Sequence, residues 1–369
     1  MNHSINLIST ILFSNLIIFL AITFSPYLSP RGVFFGVRLE EKYKKAPEIR
    51  KITRTYLYEC TVSFIVITLL TMGLIYSCTS EKSLTFIVIA SMILLVAICF
   101  ACFVKAYNHI KSFAQHLNAS SDEVAKTVVD TDLMKAKNKL RRHFRYLYIL
   151  PIILALATTL YMLLSYNSLP SRIPTHWNFL GQADGWQLKT PVTVSIYGLL
   201  QVALVSMLCY ISDQIFTTRG RLDQANYELS KKIFLSYLKK IGYSFYVMLF
   251  SIEALFIFTT FSMVHATPMQ PAALICSLLL PLGATIYMCI AWFRYRKDTP
   301  SYASYSPENA DNHWIWGSFY YNPDDPSTFV EKRYGIGWTI NMATPLGKGL
   351  MIGLLLIIII NILLPLFRS

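Results

Sequence analysis

The chain has 369 residues, of which 54% are hydrophobic and only 14% are charged, and its formal net charge is +13. Ordinary soluble domains carry roughly 25% charged residues, so this composition excludes a soluble enzyme, a disordered chain and a disulfide-stapled secreted domain. Together with a mean hydropathy of +0.46, it predicts a multi-pass membrane protein.

Eight stretches are long and apolar enough to cross a bilayer, since a transmembrane helix needs about 20 predominantly apolar residues. In chain order they are 5–25, 57–76, 84–104, 147–166, 191–210, 241–263, 272–292 and 349–367. The fifth is interrupted by Gly198 and Gln201. None alternates as a strand does, so the predicted fold class is an all-α integral membrane protein with about eight transmembrane helices.

Lysine and arginine are distributed unevenly between the loops, and this predicts the orientation. The segments after the odd-numbered spans carry 29 basic residues, and those after the even-numbered spans carry 4. Because basic loops stay in the cytoplasm, we expect a plasma-membrane protein with both termini extracellular. Topology and attraction to anionic lipid headgroups explain the positive charge. The predicted partner is therefore the lipid bilayer and not nucleic acid.

Two basic segments are predicted to lie at the cytoplasmic surface. Residues 40–54 have helical composition, which indicates an amphipathic helix at the membrane interface or a docking surface for a cytoplasmic protein partner. Between spans three and four, Asp130 and Asp132 form a D-x-D pattern. Because no third acidic ligand lies nearby, the pattern favours a solvated face over a metal site.

The segment before the last span, 294–348, is rich in aromatic, Asn, Pro and Gly residues. Residues 314–321 have strand propensity, 322–326 have turn chemistry, and 334–341 are a candidate second strand. This predicts a small cytoplasmic module containing a β-hairpin, or aromatic anchoring at the interface. The sequence thus divides into 1–145, an N-terminal three-helix membrane region; 146–212, a helix pair carrying an outer loop; 213–293, a further helix pair; 294–348, the aromatic module; and 349–369, the last helix.

The substantial loop that is predicted to lie outside is 167–190. Pro170 and Pro174 favour an extended entry, and Gly181 and Asp184-Gly185 favour tight turns. An ordered, compact loop that displays a few polar and aromatic groups is therefore expected. The candidate ligand-binding residues are His176, Trp177, Asn178, Gly181, Asp184, Trp186 and Lys189.

Three interpretations of this loop remain open: a hydrogen-bonded structural loop, a site for a ligand or peptide, and a metal site. His176 is the side chain there that titrates near neutral pH. With Asp184 it offers two candidate metal ligands, which are too few for a closed zinc site unless His265 and His3 complete it.

A resemblance to a known family rests on this loop. Its pattern is Ile173-Pro-x-His176-Trp-Asn178, followed by Gly181, Asp184, Trp186 and Lys189. The pattern resembles bacterial membrane proteins related to the immunity protein against the sporulation-delaying toxin. Segments 35–38, 320–326 and 332–341 resemble stretches that accompany this domain in larger relatives. The resemblance implies a membrane protein of immunity type, to which this chain adds spans and the aromatic cytoplasmic module.

Two carboxylates fall within predicted spans, where an ionisable residue is by default a candidate functional site. Glu253 lies near the middle of span six, and Glu59 lies near the inner end of span two. Glu253 is expected to be a protonatable coupling site, or else to pair or hydrogen-bond with a neighbouring helix. Glu59 is close enough to the interface to pair with Arg54 or to reach water.

The sequence contains no HExxH, G-x-S-x-G or Walker A motif, which favours a non-enzymatic protein without catalytic residues or a cofactor. We expect a sensor or immunity-type protein that recognises an extracellular peptide or envelope component through the outer loop and signals to the cytoplasm. The alternatives are a proton- or ion-coupled transporter that uses Glu253, and a metal-dependent membrane enzyme at the outer face.

Overall fold

The computed structural model describes residues 2–78, 80–117, 130–178, 181–218, 220, 222, 226–299, 312–335 and 337–367. Within these residues the chain forms eight α-helices and four antiparallel two-stranded sheets. The helices are α1 Asn2–Phe24, α2 Pro47–Ser77, α3 Glu81–His116, α4 Thr131–Leu164, α5 Pro191–Ile215, α6 Tyr227–His265, α7 Pro271–Asp298 and α8 Pro345–Phe367. The strands are β1 Val33–Phe34, β2 Val37–Arg38, β3 Arg172–Trp177, β4 Ala183–Leu188, β5 Trp314–Ile315, β6 Phe319–Tyr320, β7 Phe329–Glu331 and β8 Trp338–Ile340.

The predicted fold class, an all-α membrane protein, is confirmed. In the described part of the chain, α2 to α7 are six helices that are long and apolar enough to cross a membrane. Two shorter apolar stretches are Leu12–Leu28, which runs from α1 into the 3-10 helix Ser25–Leu28, and Pro345–Leu356 of α8. Several helices continue beyond the apolar stretch that predicted them, so that α4 begins at Thr131 and α6 at Tyr227. The reason is that hydropathy marks only the part of a helix that lies in lipid, whereas the backbone hydrogen bonds continue into water.

Local sequence explains where several helices begin and end. Pro47 and Pro191 occupy the first turns of α2 and α5, where a missing N–H costs nothing. Thr190 and Thr193 form a reciprocal capping box at the start of α5. α6 ends at His265, and the left-handed conformation of the next residue, Ala266 (φ +51°), caps the helix.

The chain divides into two compact units, Met1–Thr127 with Pro300–Ser369, and Val128–Thr299. In the first unit, α1, α2 and α3 pack around an apolar core. The rings of Phe19 and Phe64 stack with their centroids 4.7 Å apart, and the Tyr56 hydroxyl donates to the Ile22 carbonyl at 3.0 Å. Near the polar end of this core, Glu59 forms an ion pair with Lys105 of α3. The partner of Glu59 is therefore on the neighbouring helix and is not Arg54.

The first unit also contains two hairpin tips that contact each other. β1 and β2 are joined by Phe35-Gly36, and β5 and β6 by a turn that contains Trp316-Gly317. Phe35 and Trp316 both adopt positive φ, 48° and 49°, as do the glycines after them. A Cβ atom on Gly36 would lie 2.7 Å from the Gly317 Cα, so this approach needs glycine. The 314–321 run is thus itself a hairpin and not a single strand, because the left-handed turn at Trp316 reverses the chain.

The second half of the aromatic module is organised around Asn341. β7 pairs with β8 in the register Phe329↔Ile340, and a parallel bridge joins Tyr320 to Asn341. The Asn341 side chain is fully buried, donates to the carbonyls of Asn322 and Asp325 at 2.9 Å, and accepts from two backbone N–H groups. The side-chain amide of Asn341 thereby connects the 322–326 turn to the end of β8 through hydrogen bonds.

Two other predictions for the basic segments change in the structure. The helix predicted over 40–54 is instead a short 3-10 helix, Glu41–Lys45, followed by the first turns of α2. Pro47 separates the two, because its ring has no N–H to continue the preceding turn. Asp130 is the N-cap of α4 and pairs with Lys231 at 2.9 Å, so it is neither a metal ligand here nor part of a merely solvated face. Asp132 is exposed.

The second unit packs α4, α5 and α6 closely. A Cβ on Gly198 of α5 would lie 2.3 Å from the Thr159 side chain of α4, whose hydroxyl donates to the Gly198 carbonyl at 3.2 Å. Small residues allow such close contact between membrane helices. At the basic end of the same pair, Arg141 and Arg145 each bind both oxygens of Asp213, at 2.6–2.9 Å. Polar contacts therefore join α4 to α5 at two levels.

Candidate functional site

The loop between α4 and α5 folds into the hairpin β3–β4. Ile173 pairs with Gln187, and the register shifts around His176, which lies opposite Gly185. A Cβ on Gly185 would come within 2.9 Å of the His176 Cβ, so glycine leaves room for the histidine. Asn178 closes the tip, because its side-chain oxygen accepts from the Gln182 backbone N–H at 3.0 Å.

Both ends of this hairpin are fastened to the helices. The Lys189 Nζ donates to the carbonyls of Tyr166 and Leu169, at 3.2 and 2.8 Å, which are the carbonyls that follow the end of α4. The ammonium also lies 5.1 Å from the centre of the Tyr166 ring. Lys189 is followed immediately by the Thr190 cap of α5. The geometry thus assigns Lys189 a positioning role in the hairpin.

The tip is also tied to the connection between α6 and α7. The Met269 N–H donates to the Gly181 carbonyl at 2.8 Å. Gly181 has φ +76°, and a Cβ there would lie 1.9 Å from the Met269 carbonyl oxygen. The glycine is therefore required both by its backbone conformation and by this close approach.

The two faces of the hairpin differ in chemistry. On the inner face, Ile173 and Trp177 pack on an apolar cluster that includes Met162, Val194 and Met263 from three helices. A second set of side chains is exposed and comprises His176, Asp184, Trp186, Gln187 and Leu188. Within that set the His176 Nδ1 and an Asp184 carboxylate oxygen are hydrogen-bonded. The structure therefore separates the predicted ligand-binding residues into an exposed group and a group that holds the hairpin in place.

A buried polar cluster lies inside the helix bundle of the same unit. Glu253 of α6 has no solvent exposure; its Oε1 accepts from Gln201 of α5 at 2.8 Å and from Thr158 of α4 at 3.4 Å. Its other oxygen has no hydrogen-bond partner within the described part of the chain. A hydrogen-bonded carboxylate thus links three helices, as interhelical polar contacts in membranes do.

A metal centre does not assemble from the described side chains, among which no group of three His, Cys, Asp or Glu is suitably placed. His265 instead shares a hydrogen bond with the Tyr161 hydroxyl at 3.0 Å, and its ring lies 4.2 Å from the Phe261 ring at a tilt of 42°. The side chain of His3, the other residue considered for such a site, lies outside the described residues.

Sequence reasoning identified Glu253 but missed its partners Gln201 and Thr158 as functional candidates. Gln201 carried a signal, since a glutamine in an apolar span needs a polar partner. Thr158 and Met269 could not be identified from the sequence. A threonine hydroxyl commonly donates to a carbonyl of its own helix, as Thr158 also does, and Met269 contributes only its backbone N–H. For Glu59 the missed partner was Lys105.

Comparison with known proteins gives two partial matches. Residues 153–200 match a domain of unknown function, DUF1648, and this range contains the end of α4, the β3–β4 hairpin and the start of α5. Residues 323–348 match a family of unknown function, DUF5808, and this range contains β7, β8 and Asn341. No curated protein and no solved structure matches the chain. The matched segments contain the hairpin and the second half of the aromatic module, but residues 35–38 lie outside both matches, and neither match is specific to the toxin-immunity proteins.

Proposed function

We propose that this chain is a non-enzymatic plasma-membrane protein of sensor or immunity type that recognises an extracellular peptide or envelope component through the β3–β4 hairpin. The observation that carries the proposal is a fixed scaffold with exposed contact groups. Lys189 and Met269 hold the hairpin to the helices, while His176, Asp184 and Trp186 face solvent. Preorganised aromatic and polar side chains contribute much of the affinity in recognition surfaces.

The proposed response is a change in how α4 packs on α5. The hairpin connects these two helices directly, and they meet at Thr159–Gly198, through the Glu253 cluster, and at Asp213. A ligand that bound the hairpin more tightly in one packing arrangement would favour that arrangement by the difference in affinity. A cytoplasmic protein partner would then detect the change at the basic ends of the helices.

Site-specific photo-crosslinking on intact cells tests recognition. A photoreactive p-benzoylphenylalanine in place of Gln187, an exposed position of β4, should form a discrete adduct with a peptide or envelope component. The same probe at Tyr76, which is 94% exposed at the end of α2, serves as the matched control. We expect His176→Ala to remove the Gln187 adduct. The same adducts at both positions, or adducts that persist in His176→Ala, would contradict hairpin recognition.

A second candidate, a proton- or ion-coupled transporter, is favoured by one observation. Glu253 is fully buried in the bundle and one of its oxygens has no partner among the described residues, as expected of a site that takes up a proton. Reconstituted into liposomes with an internal pH-sensitive dye, a transporter should move protons down an imposed gradient and lose this flux on Glu253→Gln. A sensor should give no such flux in either form.

A further inference from the structure

The first unit contains a basic recess at the start of α2. It is a shallow, open recess of about 370 Å³ and is lined by Lys45, Pro47, Arg50, Lys51, Arg54 and Thr55. Arg50, Lys51 and Arg54 lie on one face of the helix, since residues three and four apart are neighbours there. Their side chains are exposed.

The charge of this recess is not neutralised by nearby carboxylates. Glu40 pairs with Lys42, and Glu41 pairs with Lys44 and accepts from the Gly32 N–H. Glu48 is exposed and does not line the recess. Within the part of the chain that the structure describes, the four basic residues of the recess form no ion pair. Four cations therefore face one small volume.

The N-terminal end of α2 also favours the binding of an anion in the recess. α2 begins at Pro47, and the residue before it, Ala46, has no side chain that could cap the helix. The first N–H groups of a helix lack partners within the helix and carry partial positive charge. Backbone and side chains therefore favour the same kind of ligand, and arginine in particular binds phosphate through two parallel hydrogen bonds.

The position of the recess along α2, relative to the hydrocarbon core of the bilayer, indicates which kind of phosphate group it binds. The apolar part of α2 begins near Leu57, so Arg54 and Arg50 lie about 5 and 10 Å before it at a rise of 1.5 Å per residue. The headgroup region adds roughly 5–8 Å to each side of the hydrocarbon core. The ion pair of Glu59 with Lys105, one half-turn further along α2, marks the same polar boundary. The backbone of Arg54 thus lies within the headgroup layer and that of Arg50 just outside it, from where a long arginine side chain reaches back toward the lipid phosphates.

We propose that this recess is a binding site for the headgroup of an anionic phospholipid. Arg50 and Arg54 would hold the phosphate, and Lys45 and Lys51 would supply the remaining charge. Such a site gives a specific lipid preference, in contrast to the diffuse attraction of all the basic loops to an anionic surface.

The test uses the full-length protein purified in a neutral detergent. Binding of dioctanoyl phosphatidylglycerol, dioctanoyl phosphatidylcholine and glycerol 3-phosphate is measured by microscale thermophoresis. The test variant is Arg50→Gln/Lys51→Gln/Arg54→Gln. The matched control, Lys139→Gln/Arg142→Gln/Lys239→Gln, removes the same charge from exposed positions of the other unit. Circular dichroism verifies that both variants keep their helical content.

We expect wild type and control to prefer the anionic lipid, and the test variant to lose about 10- to 100-fold of its affinity, given the contribution of each interfacial cation. Arg50→Lys/Arg54→Lys, which retains the charge, should lose less. Equal losses in the test and control variants would overturn the site, because they would indicate diffuse attraction. Glycerol 3-phosphate binding as tight as that of the lipid would overturn the lipid assignment.

Discussion

Asp130 illustrates how a single side chain acquires its role from its neighbours. One carboxylate oxygen caps α4 by accepting from the backbone N–H groups of Asp132 and Leu133. The other accepts from Tyr227 and from Lys231 at the start of α6. The hydrogen bonds from Tyr227 and Lys231 lower the pKa of Asp130 well below its ordinary value of 3.8. The charged form of Asp130 therefore stabilises the folded contact between α4 and α6.

We predict that Asp130→Asn lowers the thermal unfolding temperature at pH 7, because asparagine still caps a helix but carries no charge for Lys231. Since the pKa is depressed in the folded state, the contribution of Asp130 is complete above pH 3.8 and disappears as the pH falls through the folded-state pKa. Circular dichroism melts in detergent across this range should therefore show wild type and variant converging in acid.

Asp132→Asn is the matched control for this experiment. Asp132 is 75% exposed and meets Lys135 at 3.5 Å, so its loss should shift the unfolding temperature little. A constant gap between wild type and Asp130→Asn at all pH values would indicate that the charge of Asp130 is not the stabilising feature.

Among the elements, the helices follow from the sequence more directly than the hairpins do. Hydropathy located all eight helices, because lipid requires a continuous apolar surface along each span. Strand propensity located the aromatic module but merged β5 and β6 into one strand. The turn between them depends on the left-handed conformation of Trp316 and on the close approach of Gly317 to Gly36, and no local pattern predicts that contact.

The aromatic module should depend on Asn341. We predict that Asn341→Ala destabilises it by about 2–4 kcal/mol, since each buried polar group left without a partner costs about 1–3 kcal/mol. Hydrogen–deuterium exchange should accelerate across β5 to β8 while α2 and α3 remain protected. The matched control is Asn312→Ala, because Asn312 is exposed. Equal exchange in the two variants would contradict a central role for Asn341.

For the molecule as a whole, orientation in the membrane stays a prediction from the charge of the loops. The strong bias of basic residues toward alternate loops predicts that the β3–β4 hairpin lies outside and the aromatic module inside. The proposed recognition of an extracellular component depends on this arrangement, whereas the helical fold does not.

Thiol labelling on intact cells tests the orientation. In a background with Cys78→Ser and Cys276→Ser, we expect Gln182→Cys to react with a membrane-impermeant maleimide before lysis. The control, Asp324→Cys in the aromatic module, should react only after lysis; both positions are exposed. Reaction of Gln182→Cys only after lysis would exclude a hairpin that faces outward.

The sequence by itself determined the membrane class, the number and order of the helices, and the hairpin as a compact and chemically unusual loop. These properties are local, because hydropathy and turn chemistry act within a few residues. The tertiary structure decided the partners of the polar side chains: Glu253 bonds to Gln201, 52 residues away, and Asp213 to Arg141, 72 residues away. It also decided that Lys189 and Trp177 hold the hairpin while His176 and Trp186 face solvent. Such pairings depend on which helices pack together. The sequence of an apolar span contains no periodic pattern from which its neighbouring helix can be predicted.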